Sequence, residues 1–451
     1  MKISSLLLIA FLSLGTLPSG LAADGPADGA AALIPKILPE RQRAELWNQW
    51  LEWRLDNLIP ELMRREKIDM WLIFNRENNE DPLFFTMVPR PTMYSPGSAV
   101  LIFHDRGGEQ GVERFNGGWY PLGVGYDRAW TSREKTMMEN LAEVIRNRDP
   151  KRIGINFSER WPTGDGISST FLEQFKRALD PEYPDRLISA ENLCVGWLET
   201  RSPAEKRMYP RICRIAHNLI REFYSSRVIV PDVTTTEDVV WWIRDRMREW
   251  RLDTWFQPSI SIQRGPKDAE MYPDKNQIIR RGDLLHCDVG IRYLGLCTDM
   301  QWSAYVLRVG ETDAPEGLKR AFQRAERTAE ILMAEYRVGR SGREIVEAAM
   351  QKAAAEGLRP LVYSHPLGIH GHGSGCTPDA RDPGRIDPGN PLRWDYPLHY
   401  DTAYAIELSA TTAVPEWGGQ DVRIGFEESG IFTREGCRYI DGHQTELILI
   451  H

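Results

Sequence analysis

Cysteine is scarce in this 451-residue chain: Cys194, Cys213, Cys287, Cys297, Cys376 and Cys437, with no CxxC pair among them. That absence argues against a zinc knuckle or a thioredoxin-type redox site. A chain of this size needs no disulfide framework, and no pairing can be read from the spacing. Basic charge is not in excess, with 56 Lys and Arg against 64 Asp and Glu, a net of -8. Nucleic acid and anionic membrane are therefore poor partners, and a small substrate or a peptide fits better. Blocks of like charge and low-complexity tracts are also missing, so the composition is that of a globular chain. Gly117-Gly118 and Gly123-Val124-Gly125 lack the strand and helix context of a dinucleotide fingerprint. The early apolar run, Leu6 to Leu14, is too short to span a bilayer comfortably. With Lys2 before it and Leu21-Ala22-Ala23 after it, residues 1–23 read as a secretory signal. The expectation is export to the periplasm or the medium, without a membrane span once the signal is removed.

The length favours two domains. A Gly/Ala/Pro stretch over 24–39 is expected to be a flexible leader. Residues 40–66 read as a helix with Trp47, Trp50 and Leu51 on one apolar stripe. Strand-length apolar runs follow at 70–74, 99–103 and 152–157, with a helix near 168–179. This alternation predicts an α/β domain over 40–200. The capping box Ser202-Pro203-Ala204-Glu205 opens the next domain, 201–451, and Pro210 is expected to kink or split its first helix. From there the pattern reads helix, helix, strands, then helix, helix, strands again, an order that hints at internal duplication.

Candidate chemistry lies in this second part. Two strand-like runs flank Arg292–Gly295, which suggests a hairpin. A turn centred between Tyr293 and Leu294 sets Asp288 opposite Asp299, Cys287 opposite Met300 and Cys297 opposite Gly290. In that register Cys287 and Cys297 point to opposite faces, so no disulfide joins them. Opposed acids repel unless they share a proton or bind a cation. Glu407 and Glu427 each alternate with apolar neighbours and point to a face of small residues. Between the two acid pairs, Ser364–Gly375 carries three of the nine histidines, His365, His370 and His372, among several glycines. Four carboxylates and an imidazole form an oxygen-rich donor set that suits Mn, Co, Fe or Zn better than copper. Bridging carboxylates favour two ions ~3.5–4 Å apart.

Those residues resemble the pita-bread metallopeptidases: aminopeptidase P, prolidase and methionine aminopeptidase, with creatinase as a metal-free relative. The resemblance rests on two aspartates eleven residues apart, a histidine in Gly-His-x-x-Gly and two strand glutamates, and covers roughly residues 200–451. It implies an α+β pita-bread catalytic domain behind an N-terminal α/β domain like that of the prolidase and creatinase branch. It implies two divalent ions, manganese foremost, held by Asp288, Asp299, His372, Glu407 and Glu427. His370, two residues from His372, is the alternative ligand. Glu407 would be the general base in hydrolysis of an Xaa-Pro amide bond, in a homodimer whose N-terminal domain narrows the pocket.

Three positions depart from the family pattern. Met271 or Tyr272 stands where a substrate-side histidine is expected, and Asp379 stands seven residues after His372, where a second one is expected. Asp299-Met300-Gln301-Trp302 replaces Asp-x-Thr-Arg. His365, His370 or His399 could supply the missing imidazole. Two other functions remain open: a metal-dependent hydrolase of another small amide or ester, and a catalytically inactive metal-containing binding protein.

Overall fold

The stripe of Trp47, Trp50 and Leu51 does bury its helix. Trp50 and Leu51 are enclosed, and the Trp47 indole donates to the Val88 carbonyl at 3.2 Å. The structure is a computed structural model that describes residues 36–123, 125–272, 277–380 and 395–451. The secretory signal and most of the leader lie outside the described residues. The described end of the leader is packed, against expectation. Ile37 is buried, and the Leu38 N–H donates to the Tyr293 hydroxyl at 2.9 Å.

The first sheet runs β4-β3-β2-β1-β5-β6. Its strands are β1 (Met70–Arg76), β2 (Ser98–Asp105), β3 (Val112–Asn116), β4 (Asp127–Arg128), β5 (Ile153–Ile155) and β6 (Leu187–Ser189). The central strands read as unbroken apolar runs because both faces are covered. Trp71, Ile73, Leu101 and Phe103 enter one core, and Met70, Leu72, Val100 and Ile102 the other.

The second sheet runs β12-β14-β15-β11-β8-β7, with β13 beside β14, β16 beside β15 and β17 beside β11. These strands are β7 (Ser259–Gln263), β8 (Leu284–Val289), β11 (Met300–Val306), β12 (Pro360–Val362), β13 (His365–Leu367), β14 (Thr402–Val414), β15 (Gln420–Thr433), β16 (Gly436–Tyr439) and β17 (Ile448–Ile450). Between β8 and β11 lie the short strands β9 (Arg292–Tyr293) and β10 (Leu296–Cys297). Two helix pairs cover one face. Pro203–Phe223 and Thr236–Glu249 pack on Leu285, Cys287, Met300 and Trp302, while Glu316–Ala334 and Gly342–Ala355 pack on Tyr404, Ile406, Ile424 and Phe426. The repeated element order thus has a spatial counterpart. Strand alternation leaves the opposite face to residues 288, 301, 407 and 427.

Two local expectations change. Pro210 neither kinks nor splits its helix, which is continuous from Pro203 to Phe223. Burial of Tyr209, Ile212, Ala216, Leu219 and Phe223 on one stripe offsets the ~3 kcal/mol that an interior proline costs. The hairpin turn is centred on Leu294-Gly295, both with positive φ (55° and 75°), as a two-residue type I′ turn requires. Tyr293 therefore pairs with Leu296, Cys297 with Arg292, Cys287 with Trp302 and Asp288 with Gln301. The register differs by two from the expected one, so every side chain keeps its face. All six cysteines are free thiols.

A buried ion pair sits behind the sheet. His217 Nε2 lies 3.1 Å from Glu428 Oε2, and Trp302 Nε1 donates to Glu428 Oε1 at 2.6 Å. Arg221, one turn after His217 on the helix Pro203–Phe223, covers the Trp302 ring at 5.0 Å, so a cation approaches this position although Trp302 replaces the family's arginine. Burial opposes charge on His217, but Asp441 and Glu428 outweigh it and raise its pKa to about 9. A raised histidine pKa stabilises the fold fully below about 6.5, and that contribution is lost as pH rises through about 9. His217→Gln is expected to cost about 3 kcal/mol, because Glu428 loses its partner where water cannot replace it. The difference in thermal midpoint between wild type and variant should narrow from pH 6 to pH 10, and a constant difference would refute the charge assignment.

Candidate metal centre

Sheet pairing sets the acids in one row. Asp288 lies opposite Gln301, Gln301 opposite Glu427, and Glu427 opposite Glu407. One rung away are Asp299 and His365. Asp299 donates its N–H to Ser429 Oγ at 3.3 Å, Ser429 pairs with Ala405, and Ala405 pairs with His365. The small side chains of Ala405 and Ser429 leave the space into which the five larger groups converge.

His365 Nε2 is 3.5 Å from Asp299 Oδ2 and 3.9 Å from both Glu407 Oε2 and Glu427 Oε1. Among the described residues, Asp299, His365 and Glu427 offer ligand atoms that all lie within 4.8 Å of one another. His365 Nδ1 is 3.0 Å from the Pro366 carbonyl. A carbonyl accepts only, so Nδ1 carries the proton and Nε2 turns its lone pair to the acids, the tautomer that ligates metal.

The electrostatics call for protons or a cation among these acids. Burial and then the Asp299 charge raise the Asp288 carboxyl to about 8. Burial raises Glu407 to about 7, with His365 opposing and Asp299 assisting. Asp299, through burial, and Glu427, through burial and its acidic neighbours, stand well above the usual carboxylate range. Asp288 Oδ1, Asp299 Oδ1 and Glu427 Oε1 are buried without a hydrogen-bond partner among the described residues. Such orphaned acceptors are costly unless a cation satisfies them, so these side chains fit divalent metal.

A metal-free sample should report this directly. Acids with raised folded-state pKa values hold protons that the unfolded chain releases, so stability falls as pH rises. The fall begins near pH 4 and extends to about pH 8. Each carboxyl still protonated in that window contributes about 1.4 kcal/mol per pH unit. Thermal midpoints of chelator-treated protein should drop from pH 5 to pH 8, and added Mn²⁺ should restore them most at pH 8. A metal-free midpoint flat across that range would refute the acid cluster.

His372, expected as the ligand, does not join these acids. It is exposed, with its ring 4.6 Å from that of His365 and 5.1 Å from that of Trp255. The reason is pairing: β13 runs along β14 at Ala405 and brings His365 into line, whereas His372 follows in the glycine-rich loop. His370, the alternative, is also displaced. Burial and then the charges of Arg292 and Arg201 lower its pKa, and it is not among the residues that cluster with the acids. His399 packs against Tyr396 at 5.5 Å, in a pocket whose burial lowers it to about 4. Met271 is 68% exposed, and Tyr272 lies under Arg280 at 4.0 Å. Counted from His365, the residue seven positions on is His372. The second histidine of the family pattern, sought at Asp379, is thus present. That seven-residue spacing was the available sequence signal for His365. Gln301 and His286, which touch the site, were missed.

Residues 207–427 match the profile of Metallopeptidase family M24. No curated relative matches the chain by sequence. The fold is shared with the X-Pro aminopeptidase of Thermotoga maritima MSB8 at TM-score 0.59 and 14% identity, over 86% of this chain and 99% of that one. It is shared with the Xaa-Pro dipeptidase of Bacillus anthracis at TM-score 0.55 and 17% identity, over 90% and 99%. The N-terminal domain of the FACT complex subunit SPT16 of chickpea, Cicer arietinum, has it too, at TM-score 0.51 and 13% identity over 90% and 99%. Residues 207–427 of this chain thus carry a domain that matches metallopeptidase family M24, in the pita-bread fold that these solved structures share.

Proposed function

We propose that this chain is an exported, dinuclear metallopeptidase that hydrolyses the N-terminal amide bond of short peptides with proline in the second position. The carrying observation is the convergence of Asp299, Glu407 and Glu427 on His365 Nε2. In this reading Asp288, Asp299, His365, Glu407 and Glu427 hold two divalent ions, with manganese the first candidate. Bound there, the ions supply Lewis acidity and lower the pKa of water toward neutrality.

Glu407 and Asp288 are the partly open acids of the set, Glu407 being 21% exposed at its side chain, and the raised pKa of Glu407 suits proton exchange near pH 7. Glu407 takes the proton of the attacking water as the oxygen adds to the scissile carbonyl carbon. It then delivers that proton to the amine nitrogen as the C–N bond breaks. In this reading His372 donates an N–H to the carbonyl oxygen as charge develops there, a role supported by its exposed position beside His365 and edge-on to Trp255. Trp255 and Tyr363 give the approach an apolar wall suited to a proline ring. The N-terminal layer, residues 40–200, narrows the mouth across a homodimer interface, a reading supported by the family resemblance. Export rests on the apolar run at the start of the sequence.

Xaa-Pro dipeptides and tripeptides assayed with added Mn²⁺, Co²⁺ or Zn²⁺ test this. Metal-dependent cleavage is expected. Met271 or Tyr272, where the family pattern has a histidine, favours the second reading, hydrolysis of another small amide or ester. Cleavage of such compounds with Xaa-Pro peptides untouched would establish that reading. No turnover with metal bound would point to the binding protein.

A further inference from the structure

Gln301 stands in the acid row between Asp288 and Glu427. Its amide Nε2 donates to Glu407 Oε1 at 2.9 Å. Its Oε1 lies 2.9 Å from His286 Nε2, and His286 Nδ1 lies 3.4 Å from Ser261 Oγ. The direction of this chain follows from donor and acceptor rules. An ionised carboxylate only accepts, so the Gln301 NH₂ must face Glu407 and its oxygen must face His286. His286 then carries its proton on Nε2, and Nδ1 accepts from the Ser261 hydroxyl. The space is built for this contact. Gly425 stands on the neighbouring strand, and a Cβ there would lie 2.5 Å from His286 Nε2 and 2.8 Å from Gln301 Oε1.

We propose that Gln301, locked in one amide orientation by His286, is a positioning residue that holds Glu407 Oε1 and so presents Oε2 to the metal-binding cluster. Oε2 is the oxygen 3.9 Å from His365 Nε2. Without the clamp the Glu407 carboxylate rotates freely about its last bond and either oxygen faces the cluster. This deepens the peptidase reading, on which its catalytic consequence rests, but the geometry is testable without turnover. Gln301 and His286 act through Glu407 and touch no reacting atom.

The test compares His286→Phe, which keeps the ring and loses the N–H, with His286→Gln, which returns an N–H donor, and with Gln301→Leu. Groups that orient a metal ligand typically change metal affinity or activity by about 10–100-fold. His286→Phe and Gln301→Leu should therefore bind Mn²⁺ about tenfold or more weakly in titrations of the apo full-length chain. Their Co²⁺-substituted forms should show shifted visible bands. With peptide, kcat should fall while KM stays within about twofold, and His286→Gln should recover most of each loss. Wild-type metal affinity and Co²⁺ spectra in both clamp-breaking variants would overturn the proposal. So would equal losses in all three variants, which mark collapse of the site and not loss of a donor. If wild type cleaves no Xaa-Pro peptide, the peptidase reading fails, while the titrations and spectra still decide the clamp.

Discussion

Glu407→Gln should abolish nearly all turnover while leaving a folded chain. The substitution keeps the size of the side chain and an oxygen that can accept from Gln301 Nε2, now 2.9 Å from Oε1. It removes the negative charge and the proton acceptor. Lost acid–base catalysis alone is worth ~10²–10⁴-fold in kcat. The fold should survive because β14 and β15 pair along thirteen residues each, from Thr402 to Val414, independently of this side chain. Four ligands also remain, three of them, Asp299, His365 and Glu427, in a mutually close group. Peptidase assays beside circular dichroism and metal analysis check the expectation. Full activity in Glu407→Gln would remove its role as base. Inactivity accompanied by complete metal loss would make it a structural ligand first.

His365→Ala and His372→Ala should separate in the opposite sense from the one the glycine-rich motif suggests. His365 is 2% exposed, paired through its strand to Ala405, with Nε2 aimed at three acids. Its loss removes the neutral donor from a cluster whose carboxylates already repel one another, so metal content should fall sharply and turnover with it. His372 is exposed and edge-on to Trp255. Its loss should leave metal content near wild type and reduce kcat by about 10²–10³-fold, as removal of an oxyanion donor does. Metal stoichiometry measured on both variants decides between them. Metal retained in His365→Ala and lost in His372→Ala would return the ligand role to His372.

Much of the site was legible because strand parity is local. Glu407 and Glu427 alternate with apolar residues, and Asp288 faces Asp299 across a hairpin, so parity puts each pair on one face. Even the misplaced hairpin turn did no damage to that inference, since a register change of two returns every side chain to its face. The capping boxes at Ser202 and Ser341 marked helix starts for the same reason: the groups that satisfy each other are three residues apart. Pro210 shows the limit of local rules. Its penalty was foreseen, but the apolar stripe packed on the sheet outweighs it.

The imidazole was legible only through the seven-residue spacing of His365 and His372, and the glycine motif at His372 pointed the other way. Three histidines within eight residues carry similar local signals, and the choice among them depends on which one enters a strand beside β14. That pairing joins residues forty positions apart, as His365 meets Ala405, and only packing decides it. The Ser261–His286–Gln301–Glu407 chain was hidden for the same reason. Its four members lie on four strands, and its direction emerges only when donors and acceptors stand within hydrogen-bond reach. Sequence alternation therefore settled which acids share a face. Long-range strand pairing settled which histidine joins them and which side chains hold them, because those contacts cost loop-closure entropy and form only when the whole sheet assembles.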